Sequence, residues 1–260
     1  MPHLLAVMPH PDDEAYSIAG AVAILTASGW DVSIHCASSG EQGKRHDGGP
    51  AEPAAIAAVR ESELRRSCEY VGAFEPYCWR LPDGHLRDVP SQANRLSALI
   101  RGASPDVVVT LGPDGVYGHP DHIAVHRWVV EGWSELRSQR PALLFTAFPH
   151  GLFLPQYFKC QGMMGDPPSP PAAEIGALAW DLEVDIAAVR GLKLAAVAAH
   201  RSQLPGGDPY ALFPPGVLAG CLDYERFTLA PGSERPALFP SSLFPRPLTA
   251  HSSGTGTQEP

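Results

Sequence analysis

The sequence predicts an α/β protein with a Rossmann-like three-layer fold, a mostly parallel sheet flanked by helices. Three observations carry this. Short continuous apolar runs recur, as expected of strands covered on both faces. Segments with helical spacing of apolar residues separate those runs across residues 1–148. Connections of that length imply parallel strands joined by right-handed crossovers.

The elements follow in order. Leu4 to Met8 is an apolar run that reads as the first strand. Ala15 to Ala27 has helical periodicity and stops at Gly29, a natural C′ residue. Val32 to Ala37 is the next strand, and residues 38–53, rich in glycine, are a long loop. Ala54 to Val71 reads as a helix, Tyr77 to Leu81 as a strand and Pro82 to Pro90 as a loop. Ser91 is an expected N-cap for a helix to Arg101. Asp106 to Leu111 is the clearest strand; a Gly/Pro-rich loop fills 112–121, and a helix is expected from His122 to about Arg137.

Leu143 to Phe148 reads as a further strand. Residues 149–172 hold six prolines and little periodicity, so no element is expected there. Leu178 to Val184 is read as a strand, Ile186 to His200 as a helix and Tyr224 to Leu229 as a last strand. One domain is expected over 1–247, with 248–260 a disordered tail by composition.

At 260 residues, 44% hydrophobic and 18% charged, the chain suits a soluble globular protein with a large core. The net charge of −9 argues against nucleic acid and against an anionic membrane surface. No apolar stretch approaches the roughly 20 residues that span a bilayer, and the N-terminus lacks a signal-peptide pattern. The 5 cysteines are scattered, with no Cys-x-x-Cys pair. That predicts a cytoplasmic protein whose metal site, if it has one, uses nitrogen and oxygen ligands. The composition leaves self-association open.

Two related tetrapeptides hold the chemistry. His10-Pro11-Asp12-Asp13 follows the first strand, and His119-Pro120-Asp121-His122 follows the Asp106–Leu111 strand. Ligands of parallel α/β sheets bind at the carboxyl ends of strands, so both motifs belong to one crevice. Two imidazoles and a carboxylate suit a borderline divalent cation, above all Zn²⁺, with a position left for water. The surplus carboxylate and imidazole groups are what hydrolysis requires.

Blander readings stand beside these. Asp12 and Asp13 could serve only as helix caps. His119 and His122 could be turn residues, although Gly115 and Gly118 allow close backbone approach there. His126, one helical turn past His122, lacks an intervening acid and reads as structural. His35 reads as a packed residue. His200 is equally a helix-end cation and a site residue, and Arg60 is by default a solvated or ion-paired arginine.

His10-Pro11-Asp12-Asp13-Glu14 and Tyr117-Gly118-His119-Pro120-Asp121-His122 resemble the two signature motifs of the LmbE-like, or PIG-L, zinc-dependent N-acetylglucosaminyl deacetylases. Weaker similarities lie in Arg60–Leu64, Leu81–Gly84 and Lys193 through Gln203, so the resemblance spans about residues 3–230. Pro9 to Gly20 is most similar to the bacillithiol-pathway branch.

The resemblance implies a zinc-dependent hydrolase removing the N-acetyl group from a small aminosugar conjugate. It places one Zn²⁺ per chain, with Fe²⁺ an alternative, on His10, Asp13 and His122. It makes Asp12 the general base. His119 becomes the acid or a charged oxyanion stabiliser tuned by Asp121, and Tyr117 a further oxyanion donor. Arg60 and Asp83 become substrate-binding residues, and loop 38–53 shapes the aglycone side. Two other classes remain open at this stage: a non-haem Fe(II) oxygenase with two histidines and one carboxylate, and a non-catalytic metal- or sugar-binding module.

Overall fold

The computed structural model describes residues 1–136 and 140–236. The expected tail from 248 lies outside the described residues. In chain order the elements are β1 (His3–Met8), α1 (Asp13–Ser17), α2 (Ala19–Ala27), β2 (Asp31–Ser38), α3 (Pro53–Val71), β3 (Tyr77–Leu81), α4 (Ala93–Ala103) and β4 (Val107–Thr110). Then come the single turn α5 (Gly115–Gly118), α6 (Pro120–Ser134), β5 (Ala142–Thr146), α7 (Leu154–Cys160), β6 (Leu182–Asp185), α8 (Arg190–Ala199), α9 (Val217–Gly220) and β7 (Tyr224–Leu229).

One seven-stranded sheet runs β3-β2-β1-β4-β5-β7-β6. The five strands from β3 to β5 are parallel, and β7 is antiparallel to both of its neighbours. This is the predicted α/β architecture. Alternation in β1 divides the core between two faces. Leu4, Ala6 and Met8 pack with residues of α2, α3 and α8, whereas Leu5 and Val7 pack with residues of α4 and α6. β4 does the same in register, Leu4 opposite Val107 and Leu5 opposite Val108. Every residue of β1 after His3 is buried, which is why the strand reads as an unbroken apolar run. Leu4, Leu5, Val7 and Met8 each contribute on the order of 1.5–3 kcal/mol.

The chain moves outward from β1 to β2 and β3, then returns to the other side of β1 to make β4 and β5. The strand order therefore reverses between β1 and β4. A crevice opens at such a switch point beyond the carboxyl ends of the strands, and both His-Pro-Asp motifs leave from there.

Several expectations are corrected. The helix expected over Ala15–Ala27 is broken at Ile18, whose φ is −139°. The break exposes a fresh helix N-terminus, and the buried Glu225 carboxylate accepts from Gly20 N at 2.9 Å and Ala21 N at 2.7 Å. The proline-rich segment 149–172 contains α7, which has a proline in its first turn, a position that needs no amide donor. The strand expected from Leu178 starts only at Leu182, because Leu178 is 87% exposed and has no face to bury. α6 begins at Pro120 rather than His122, with the His119 side chain accepting from Asp121 N as N-cap. The helix expected from Ser91 begins at Ala93, with Ser91 Oγ accepting from Ala93 N. α8 begins at Arg190, after a 3₁₀ turn, instead of at Ile186.

Candidate metal centre and active site

β1 ends at Met8 and the chain turns at Pro9–Pro11 into α1, so His10, Asp12 and Asp13 all sit at the switch point. Asp13 closes the turn by accepting from His10 N at 2.9 Å. On the other side, β4 gives way to a turn whose glycines are required. Gly118 has φ +80°, and a Cβ there would lie 2.8 Å from Met164 Sδ. That turn delivers Tyr117, His119 and the start of α6.

The two motifs meet. The His10 and His122 rings lie 5.2 Å apart at their centroids, and His10 and His119 5.1 Å apart. His119 stacks on His122 at 4.5 Å. Asp13 stands between the first pair: Oδ2 is 3.2 Å from His10 Nδ1, and Oδ1 is 3.4 Å from His122 Nε2. Ligand atoms of His10, Asp13 and His122 lie within 4.8 Å of one another, the spacing of a metal-binding set. His10, His119 and Asp121 form an overlapping set by the same measure.

The surrounding hydrogen bonds test whether the first set fits a cation. His122 Nδ1 lies 3.1 Å from the Gly115 carbonyl, which places its proton there and leaves Nε2 with a lone pair facing Asp13. His10 Nε2 lies 3.1 Å from Asp83 Oδ1 and 3.4 Å from Asp121 Oδ2, which leaves Nδ1 facing Asp13. Each imidazole thus turns one nitrogen inward and has the other held by an oxygen, the arrangement that orients histidine ligands. Two nitrogens and a carboxylate with held outer partners fit Zn²⁺ or a similar cation.

Electrostatics agree. Burial opposes charge on His10, but the carboxylates of Asp121, Asp13 and Asp83 outweigh it and raise its pKa well above the usual histidine value. Groups that attract a proton this strongly attract a divalent cation for the same Coulombic reason. Burial would raise Asp13, yet His122 and His10 hold it well below the carboxylate range. Burial lowers His122 to about 4 against the pull of Asp13. These groups are in the protonation states that ligation needs, except His10, which gives up its proton on binding.

Around this set lies a cleft of about 300 Å³, lined among others by Asp12, Arg60, Asp83, Tyr117 and His119. Burial pushes the Asp12 carboxyl up to about 6, against Arg60 and with help from Asp13. Burial, then the His122 and His10 rings, lower His119 to about 2. Its Nδ1 accepts from Asp121 N at 3.2 Å, so the neutral ring carries its proton on Nε2. Burial thus favours a neutral His119 ring that can donate through Nε2, over the charged form expected of an oxyanion stabiliser. Burial and Asp13 raise Tyr117 well above its usual value, keeping a hydroxyl proton to donate.

Three residues expected at the site make further contacts there. Asp121 meets the His119 ring through its backbone N–H, while its carboxylate accepts from Gly84 N at 2.7 Å and Leu86 N at 2.9 Å and faces His10. Asp83 likewise faces His10 and accepts from Gln42 N at 2.8 Å, which ties loop 38–53 to the site. Arg60 is 4% exposed and spends its guanidinium on the Gly40 and Pro11 carbonyls and on Asp12 Oδ2 at 2.9 Å. It holds the Asp12 carboxylate from a buried position, the ion-paired arrangement that sequence offered for it.

His126 is structural, with Nδ1 2.8 Å from the Leu111 carbonyl. His200 lies behind the cleft, its Nε2 2.8 Å from Glu14 Oε1. Sequence reasoning gave no role to Glu14, although it follows directly on Asp13. It also missed the aromatic wall of Tyr16, Phe153 and Phe213, whose rings touch edge to face at 4.9 and 5.4 Å. Those residues come from three distant segments, and no local spacing signals their meeting.

Fold and site define an α/β protein with a candidate mononuclear metal centre at the switch point of its sheet. A family model described as PIG-L, GlcNAc-PI de-N-acetylase, matches residues 5–133. The chain is 31% identical to a probable N-acetyl-alpha-D-glucosaminyl L-malate deacetylase 2 of Bacillus cereus, covering 77% of this chain and 83% of that protein. It is 30% identical to a 1D-myo-inositol 2-acetamido-2-deoxy-alpha-D-glucopyranoside deacetylase of Rhodococcus jostii, covering 88% of this chain and 92% of that one. A conserved protein of known structure from Thermus thermophilus superposes with a TM-score of 0.61 at 26% identity, covering 92% of this chain and 97% of the other. The chain belongs to the PIG-L family.

Proposed function

We propose that the protein is a metal-dependent amidohydrolase that removes the N-acetyl group from an N-acetylglucosaminyl conjugate. The observation that carries this is the convergence of His10, Asp13 and His122 with Asp12 and His119 in one cleft. A divalent cation, Zn²⁺ by donor chemistry, held by those first three residues would supply the Lewis acidity that activates water and polarises the acetamide carbonyl. Asp12, with its carboxyl near neutrality, takes the proton of the attacking water. The Nε2–H of His119 and the Tyr117 hydroxyl donate to the oxyanion as it forms. Because His119 is neutral, Asp12 is the group that returns a proton to the departing amine.

Asp83 and the backbone of loop 38–53 border the sugar side, and Arg60 acts on substrate through Asp12. The substrate is a small aminosugar conjugate, in line with the names of the relatives. The five free cysteines support a cytoplasmic setting, and no helix among the described residues is long and apolar enough to cross a membrane. The single sheet supports one domain over residues 3–229, and residues 237–247 of the expected span lie outside the described residues. The parallel α/β fold speaks against the Fe(II) oxygenase reading, and a binding module would have no use for Asp12 beside the metal set.

The test is amine release from a panel of N-acetylglucosaminyl conjugates, before and after chelation and Zn²⁺ add-back, with Asp12→Ala as control. Zinc-dependent release by the wild type and loss of about 10²–10⁴-fold in Asp12→Ala are expected. Equal inertness of both proteins across the panel would overturn the reading.

A further inference from the structure

We propose that Glu14, anchored by His200, is a positioning residue that fixes the backbone of Asp12 and so aims its carboxylate into the cleft; this rests on the reading of Asp12 as the base. Asp12 has φ +119° and ψ −27°, a conformation that residues with a Cβ rarely adopt. Such outliers persist only where their surroundings over-determine them, and they gather at active sites. Glu14 does this here. Its Oε2 accepts from Asp12 N at 2.9 Å. Rotation of Asp12 into an ordinary conformation would carry that N–H away from Glu14 and the side chain away from Arg60 Nη2.

Glu14 is itself held from two other elements. Its Oε1 accepts from Ser67 Oγ of α3 at 2.6 Å and lies 2.8 Å from His200 Nε2 at the end of α8. Glu14 and His200 are each 1% exposed. His200 Nδ1 has no hydrogen-bond partner, so the ring's whole polar engagement among the described residues is with Glu14. A carboxylate that merely complemented the N-terminus of a five-residue helix could do so at the surface without a buried histidine. Here a chain of contacts runs from α8 through His200 and Glu14 to the Asp12 amide. Arg60 completes it from α3 by holding the Asp12 carboxylate.

A structural brace and a positioning device predict different outcomes. Glu14→Met keeps the length and removes the acceptor. Its kcat should fall about 100-fold while KM and zinc per chain stay at wild-type values. In its crystal structure Asp12 should leave the positive-φ region. Glu14→Gln keeps an oxygen for the Asp12 amide and should restore kcat to within about threefold of wild type. If Glu14→Met does not fold, His200→Asn, which removes one anchor of Glu14, is the variant to measure, with a kcat loss of about 10-fold expected. A variant lacking the Glu14 acceptor that keeps wild-type kcat, or keeps Asp12 at its present φ, would overturn the proposal. If the wild type releases no amine from any conjugate, the deacetylase reading fails, and the Asp12 conformation in the variant's crystal structure still decides the positioning claim.

Discussion

Asp13 and His122 face each other across the switch point, Oδ1 to Nε2 at 3.4 Å, with the histidine's other nitrogen already committed to the Gly115 carbonyl. The pair is therefore oriented for a shared cation before one arrives. His122→Ala and Asp13→Ala are each expected to lower bound zinc from about one per chain to below about 0.1 after dialysis, since a three-ligand site seldom survives on two. Elemental analysis of the purified variants checks this. Full zinc occupancy in either would place the ion elsewhere.

Arg60 is the next point of leverage. It is buried and donates to two backbone carbonyls and to Asp12. Lysine keeps the charge but not the fork that reaches three acceptors at once. Arg60→Lys should lower kcat and cost about 1–3 kcal/mol by leaving a buried carbonyl unpaired. Urea unfolding beside steady-state kinetics measures both, and an Arg60→Lys protein matching wild type in both would contradict the bracing role.

His35 gives the pH dependence of stability a definite sign. Burial, then Arg95 and His3, lower its pKa to about 4, and its Nδ1 accepts from Trp79 Nε1 at 3.2 Å. Below about pH 6.5 the unfolded chain binds a proton there that the folded chain refuses, until the pH nears 4. Unfolding free energy should therefore fall as pH drops through this window, with a slope from this group of at most about 1.4 kcal/mol per pH unit. His35→Gln should flatten that slope. An unchanged slope across that window would remove His35 from the account.

The parallel half of the sheet was legible because both faces of β1 and β4 are covered, so their sequences are continuous apolar runs. The candidate metal set could be picked out because His10 closely follows one such run and His119 to His122 follow the glycine-rich turn after another. What local pattern could not carry was contact between distant segments. The amides freed by the break at Ile18 are met by the distant Glu225, and the contacts of Asp121 and Asp83 depend on where His10 comes to rest. The neutral ring favoured at His119 follows first from burial, which no local pattern carries. α7 was missed because prolines mask helical spacing, although proline is well tolerated in a first turn.

Lys193 and Glu225 make the last test, because they tie the antiparallel edge of the sheet to the site. Lys193 Nζ lies 2.6 Å from Glu225 Oε1 and donates to the Tyr16 carbonyl at 2.8 Å, with Lys193 fully buried. Glu225, on β7, also receives the two amides at the start of α2. Lys193→Met would leave that carboxylate buried with amide donors but no countercharge. Removing one member of a buried pair costs about 3–5 kcal/mol, more than a surface pair contributes. The double variant Lys193→Met/Glu225→Gln removes both charges and should recover part of the loss, since a buried pair replaced as a unit is often near neutral. Denaturant midpoints of the two single variants and the double close the cycle. Additive losses would mean that the two charges do not interact.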